Sequence, residues 1–192
     1  MIRALASGGT LELINDWLPP EEADRVLAAL LAEVPWTQGT IVMFGREIAE
    51  PRLSAWLGDE GARYTYSGRE MTPAAWTPTT RWLRDRCAAH TGVALDSVLV
   101  NRYRDGNDSM GFHADDEPEL GENPVIASVS LGATRRFQLR HNRDKNDRID
   151  LDLDHGSLLV MGGTTQHHYR HAVPKTKRPG ERVNLTFRRV VA

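Results

Sequence analysis

The chain has 192 residues, 40% of them hydrophobic, which suits a single domain with one core. Lys and Arg number 24 against 26 for Asp and Glu, so the net charge of −2 argues against a protein that coats nucleic acid permanently, though not against one that visits it briefly. A lone cysteine, Cys87, excludes an internal disulfide and fits a reducing compartment.

From the N-terminus, Leu11 to Ile14 reads as a short strand. Pro19-Pro20-Glu21-Glu22 then opens a helix running to about Val34, because proline pre-sets φ in the first turn and acids complement the dipole there. Leu27, Leu30, Leu31 and Val34 are its expected apolar face. The segment from Ile41 to Gly68 holds Pro51, several glycines and the aromatics Phe44, Trp56, Tyr64 and Tyr66, and its pattern fixes no single element. A second helix is expected over Thr80 to His90, stopped by Gly92 and burying Trp82, Leu83 and Cys87. Strands follow at Val98 to Arg104, Val125 to Leu131, Arg136 to His141, Ile149 to Leu153 and Ser157 to Met161. His141 to Arg148 is the polar turn of a hairpin. Short strands separated by turn clusters predict a β-sandwich or barrel with helices packed outside. No apolar run approaches the roughly 20 residues needed to cross a bilayer. The first residues form no export signal, so the expected location is cytoplasmic.

His113 and Asp115 sit two apart, on one side of an extended backbone. A third ligand from the histidine-rich Gln166 to His171 would complete two imidazoles and one carboxylate, the facial triad of non-haem Fe(II) oxygenases. Spacing alone leaves His167, His168 and His171 open for that position. In Arg182 to Arg188, Val183, Leu185 and Phe187 form one face and Arg182, Asn184, Thr186 and Arg188 the other. Such a strand is either a solvated edge or the wall of a polar cavity. In the second case two arginines roughly 20 Å apart along the strand, each able to grip a carboxylate bidentately, suit a short dicarboxylate. Asn101 and Tyr103 share a face by the same parity.

These motifs reach a known family. N-R-Y at 101 to 103, H-A-D-D-E at 113 to 117, P-V-I-A-S-V-S-L-G-A at 124 to 133, Y-R-H at 169 to 171 and R-V-N-L-T-F-R at 182 to 188 occur in order. By them the chain from about Ile41 to Val190 resembles the AlkB family of Fe(II)- and 2-oxoglutarate-dependent dioxygenases, most of all its homologues two and three. The resemblance implies a mainly β fold with flanking helices, the double-stranded β-helix or jelly roll. It implies one domain over 1–192, with an N-terminal scaffold extension at 1–40, a nucleotide-recognition lid at 41–70 and the jelly-roll core at 95–190. It implies Fe(II) held by His113, Asp115 and His171, the Y-R-H pattern selecting His171. The cosubstrate 2-oxoglutarate would meet Arg188 at the carboxylate beside its keto group and Arg182 at the distal one, assisted by Asn101, Tyr103, Asn184 and Thr186, with O2 as oxidant.

The implied reaction removes N-alkyl groups from bases in alkylated DNA, single- or double-stranded, such as 1-methyladenine and 3-methylcytosine, while 2-oxoglutarate becomes succinate. RNA demethylation, protein hydroxylation and a non-catalytic nucleic-acid-binding module are the alternatives. A duplex base must flip out to be reached. By likeness Phe44 is the wedge that fills its place, Asp116 and Glu117 read its exocyclic amino group, and Arg140 makes a pocket or phosphate contact. Where the family more often has an aromatic that stacks on the damaged base, the likeness places Leu57. Basic residues concentrate in two stretches, 135 to 148 and 170 to 189, and acids between Asp105 and Glu122, a basic rim around an acidic mouth. The protein is expected to act as a monomer.

Overall fold

The computed structural model describes residues 1–43, 45–61, 64–66, 69–178 and 180–191. The N-terminal half contains β1 (Ile2–Ala4), β2 (Gly9–Ile14), α1 (Pro20–Glu33), β3 (Thr40–Met43), β4 (Arg46–Ala49), β5 (Leu53–Gly58), β6 (Tyr64–Tyr66), β7 (Arg69–Met71) and α2 (Pro78–Thr91). The C-terminal half contains β8 (Ser97–Tyr103), β9 (Met110–His113), β10 (Ile126–Gly132), β11 (Arg135–His141) and β12 (Arg148–Leu153). It ends with β13 (Ser157–Gly163), the single turn α3 (Thr165–His168), β14 (Tyr169–Val173) and β15 (Arg182–Arg188).

Two antiparallel sheets face each other. The larger has seven strands in the order β1-β2-β13-β10-β15-β8-β5, and the smaller four in the order β12-β11-β14-β9. This is the double-stranded β-helix, with both helices packed outside the larger sheet. Strand alternation divides the apolar residues into two layers. Val98, Val100, Val129, Leu131, Val183, Leu185 and Phe187 face Leu18, Val26, Leu30, Leu83 and Cys87 on the helix side. Ile126, Leu159 and Met161 face Phe137, Leu139 and Ile149 between the sheets. The opposite parity of β15 therefore turns Arg182, Asn184, Thr186 and Arg188 into the sandwich, and all seven of its residues are buried. The strand lies between β10 and β8, so it is an interior strand and not a solvated edge.

Both helices form where the local chemistry directs. Proline opens α1 with Glu21 and Glu22 in its first turn. A reciprocal capping box between Thr77 and Thr80 starts α2, and Gly92, at φ 70°, ends it in the left-handed conformation. The buried stripe of α1 is Ala23, Val26 and Leu30, continued by Val34, with Leu27 and Leu31 at its margins. The expected burial of Trp82 is corrected. The inward stripe of α2 runs Thr80, Leu83, Cys87, which leaves Trp82 on the flank, 37% exposed and covered by the Arg86 guanidinium 4.9 Å from its ring.

Within 41–70, β5 is a strand of the larger sheet, whereas β3–β4 and β6–β7 are separate two-stranded ribbons outside both sheets. Phe44 lies outside the described residues. Leu57 pairs with Val98 and is fully buried on the helix side, so it cannot stack on a base. Trp56 pairs with Leu99 and so shares the sandwich face with Asn101 and Tyr103, packed with Leu120 and Val190.

Candidate functional site

Strand pairing builds the centre of the site. His171 on β14 lies directly opposite His113 at the end of β9, with ring centroids 4.3 Å apart. Asp115 follows two residues later and brings its carboxylate to both rings. The donor atoms of His113, Asp115 and His171 all lie within 4.8 Å of one another. His167 and His168 are turned elsewhere: the His167 ring meets the Glu122 carbonyl, and His168 stacks on His141 with centroids 6.0 Å apart. Those two lie in the single turn of α3, just before the strand that aims His171 inward.

Hydrogen bonds commit one side-chain atom of His113 and one of Asp115 and leave the other available. His113 Nδ1 lies 2.9 Å from the Gly111 carbonyl, which can only accept, so that nitrogen donates and Nε2 is the one left to face a ligand. Asp115 Oδ1 accepts from Arg188 Nη2 at 2.8 Å, while its buried Oδ2 has no hydrogen-bond partner among the described residues. Burial pushes the Asp115 carboxyl up, but Arg188, His171 and His113 outweigh it and hold the pKa at about 2. Burial, reinforced by His113, pushes His171 down to about 3, which keeps its ring neutral and able to ligate. His171 also rests against the Phe137 ring at 5.2 Å. Two imidazoles and one carboxylate with an orphaned oxygen fit a divalent iron and leave its remaining positions open.

The cavity beside this cluster is lined by Asn101, Tyr103, Asn184, Thr186 and Arg188 as well as the cluster itself. Several of these polar groups are already engaged. Asn184 Nδ2 donates to Ser128 Oγ and the Val129 carbonyl at 2.9 and 2.8 Å, its Oδ1 accepts from Thr186, and Asn101 Oδ1 accepts from Arg52 Nε at 2.9 Å. Arg182 lies behind Tyr103, 5.1 Å from its ring, and donates to Ser130 Oγ at 2.9 Å. Its Nε and Nη1 are buried without a hydrogen-bond partner among the described residues. Burial pushes its pKa down to about 10, with Tyr103 acting against the fall. A buried cation with donors left over suits a carboxylate supplied from outside.

The remaining sequence candidates lie further out. Asp116 is exposed; Glu117 is half-buried, and its Oε2 has no hydrogen-bond partner among the described residues. Arg140 is on the outer face of the smaller sheet, over the Phe112 ring at 4.3 Å, and so does not reach into the cavity. The basic rim is smaller than the sequence suggests. Arg135 is buried between the sheets, donating to the carbonyls of Asp105, Asp108 and Pro174, and Arg136 pairs with Asp150 and Asp152.

Sequence reasoning missed Arg52, Arg135 and Gln166 as neighbours of the site. For Arg135 a signal existed, since it shares the parity of the inward Phe137 and Leu139. For Arg52 and Gln166 no local pattern points inward; tertiary packing alone brings them there.

A sequence model of the 2OG-Fe(II) oxygenase superfamily matches residues 10–188. The human alpha-ketoglutarate-dependent dioxygenase alkB homolog 3 is 44% identical over 180 residues, covering 88% of this chain and 62% of that protein. Mouse DNA oxidative demethylase ALKBH2 is 42% identical over 181 residues, covering 88% of this chain and 76% of that protein. The chain thus spans about three fifths of the length of the alkB homolog 3 proteins it matches. The solved structure of OsALKBH1 superposes with a TM-score of 0.63 at 22% identity, covering 93% of this chain and 97% of that one, a likeness of fold. Sequence, fold and relatives agree that the chain belongs to the 2OG-Fe(II) oxygenase superfamily and, within it, to the AlkB family.

Proposed function

We propose that this protein oxidatively dealkylates N-alkylated bases in DNA, such as 1-methyladenine and 3-methylcytosine, with 2-oxoglutarate consumed as cosubstrate. The observation that carries this reading is the convergence of His113, Asp115 and His171 beside a cavity walled by Arg188 and backed by Arg182. In this reading the three residues hold Fe(II). Arg188 secures Asp115 and meets the carboxylate beside the keto group, while Arg182, with Tyr103 against it, takes the distal carboxylate. Asn101, Asn184 and Thr186 shape the wall between them. Iron with 2-oxoglutarate and O2 supplies C–H hydroxylation coupled to decarboxylation of the 2-oxo acid to succinate. An N-alkyl carbon hydroxylated in this way is a hemiaminal, which releases an aldehyde and restores the base.

The chain's own part is positioning. The base must leave the stack to reach the cavity. In this reading Glu117 and Asp116 read an exocyclic amino group, which the Oε2 of Glu117, unpartnered among the described residues, supports. Phe44, which lies outside the described residues, is the proposed wedge, and the ribbons β3–β4 and β6–β7 are the proposed recognition lid. Arg140 contacts phosphate from the outer face. The protein works as a monomer in a reducing compartment on this reading; no described helix is long and apolar enough to cross a membrane.

The decisive assay incubates the protein with Fe(II), 2-oxoglutarate, ascorbate and oligonucleotides carrying 1-methyladenine, in DNA and RNA side by side. The expected result is loss of the methyl group from DNA by mass spectrometry, with stoichiometric succinate. Unchanged DNA under these aerobic, reducing conditions overturns the reading, and reaction of RNA alone moves the substrate.

A further inference from the structure

Gln166 opens the histidine-rich segment that ends at His171, yet no ligand role accounts for it. Its side chain is 1% exposed and crosses to the loop after β9, where Oε1 accepts the Asp115 backbone N–H at 3.0 Å. Its amide nitrogen donates to the Met161 sulfur, 3.6 Å away. The Asp115 amide needs such an acceptor. β9 ends at His113, so Asp115 lies beyond the last ladder position and is buried without a neighbouring strand to pair its backbone.

The residue holding Gln166 is itself fixed to the larger sheet. Thr165 Oγ1 accepts the Thr10 N–H at 3.1 Å and lies 2.6 Å from the Gly162 carbonyl, which fastens α3 to both β2 and β13. The approach is close enough that a Cβ on Gly9 would stand 2.8 Å from that hydroxyl. Gln166 therefore projects from a rigid base. Asp115 is gripped at two points, its backbone by Gln166 and its Oδ1 by Arg188, with that same Oδ1 4.0 Å from His113 Nε2 and Oδ2 left without a hydrogen-bond partner among the described residues.

We propose that Gln166 is a positioning residue for the metal-binding carboxylate: its side-chain carbonyl fixes the Asp115 backbone so that the carboxylate stays within reach of the His113 and His171 rings. Gln166 touches neither metal nor substrate. The inference rests on the metal-site reading above, and it makes one segment contribute twice, His171 as ligand and Gln166 as support for the ligand across the sandwich. Supports of this kind govern metal affinity by about 10- to 100-fold.

The test is Co(II) binding to the metal-free protein, followed through the visible absorption of the bound ion. Gln166→Met keeps the shape and removes the acceptor; it is expected to weaken Co(II) about 10- to 100-fold and to shift the bands. Gln166→Glu keeps an acceptor oxygen at the same reach and is expected to stay close to wild type. Equal affinity and spectra in wild type and Gln166→Met overturn the inference, as does an equal loss in both variants. A wild-type chain that binds no Co(II) sinks the metal reading itself. If Gln166→Met does not fold, amide exchange in the unaltered protein decides: a slowly exchanging Asp115 amide supports the proposal, and rapid exchange overturns it.

Discussion

Asp115 and Arg188 form a buried ion pair, and buried pairs behave asymmetrically when broken. Removing the arginine leaves a carboxylate without its charge partner in a dry site, which typically costs about 3 to 5 kcal/mol, whereas removing both charges costs far less. Arg188→Met should therefore lower the stability of the metal-free protein by about 3 to 5 kcal/mol in urea melts, and adding Asp115→Asn should recover most of the loss. Additive losses in that cycle would show that the pair does not couple. Cys87 gives a second expectation. Burial pushes its thiol up to about 12 from an ordinary 9.0, with Arg86 opposing only in part. The unfolded chain sheds this proton near 9 and the native chain keeps it until about 12. Stability from this group is thus complete below pH 9 and lost as pH rises through that window, and the native thiol should ignore a disulfide reagent at pH 8 that labels it after unfolding. At this scale the three ligand candidates are legible because their motifs are local, and parity marks Arg135 as inward. Gln166 is not legible, because the amide it serves arrives from a loop far away in sequence.

Elements explain why the arginine-bearing strand could be read in two ways. Alternation in β15 separates a polar from an apolar face, but parity does not say which face meets solvent. The answer comes from its neighbours: with β10 and β8 on either side and both helices over Val183, Leu185 and Phe187, the polar face has only the sandwich interior to enter. Helix positions were readable from proline, capping and glycine signals, and five strands fell within a residue or two of expectation. The ribbons and β5 were not readable, because the 41–68 stretch carries no sustained period. Loops show a comparable dependence on contact. Gly106 in the turn after β8 accepts the Thr176 N–H at 2.9 Å, and a Cβ there would stand 2.1 Å from the Thr176 carbonyl oxygen. That contact pins the exposed basic loop carrying Lys175, Lys177 and Arg178. Gly106→Ala must push the two backbones apart, at about 1 to 3 kcal/mol of overpacking strain. Oligonucleotide affinity by fluorescence anisotropy should fall while Co(II) affinity holds; unchanged affinity would remove this loop from the proposed nucleic-acid surface.

Across the whole molecule, charge is arranged with less excess than the sequence suggests but with more order. Arg136, Arg102 and Arg104 are all paired with carboxylates, and Arg135, Arg182 and Arg188 are inside. What remains outside includes a line across three strands of the smaller sheet. Arg148 stands opposite Arg140, and Arg140 opposite Arg170, all three exposed and none paired with a carboxylate among the described residues. Like charges directly opposite in a sheet destabilise it, so the line carries a cost that a polyanion lying across it would offset. If it meets phosphates, each contact releases counterions and contributes about 0.9 to the slope of log affinity against log salt for a duplex. Replacing all three with glutamine should lower that slope by roughly 2 to 3 and weaken every sequence alike. Co(II) binding should be untouched, because the three side chains point away from the sandwich in which His171 lies. A slope that does not change would place the duplex elsewhere, and the loop of Lys175, Lys177 and Arg178 would then have to carry the phosphates.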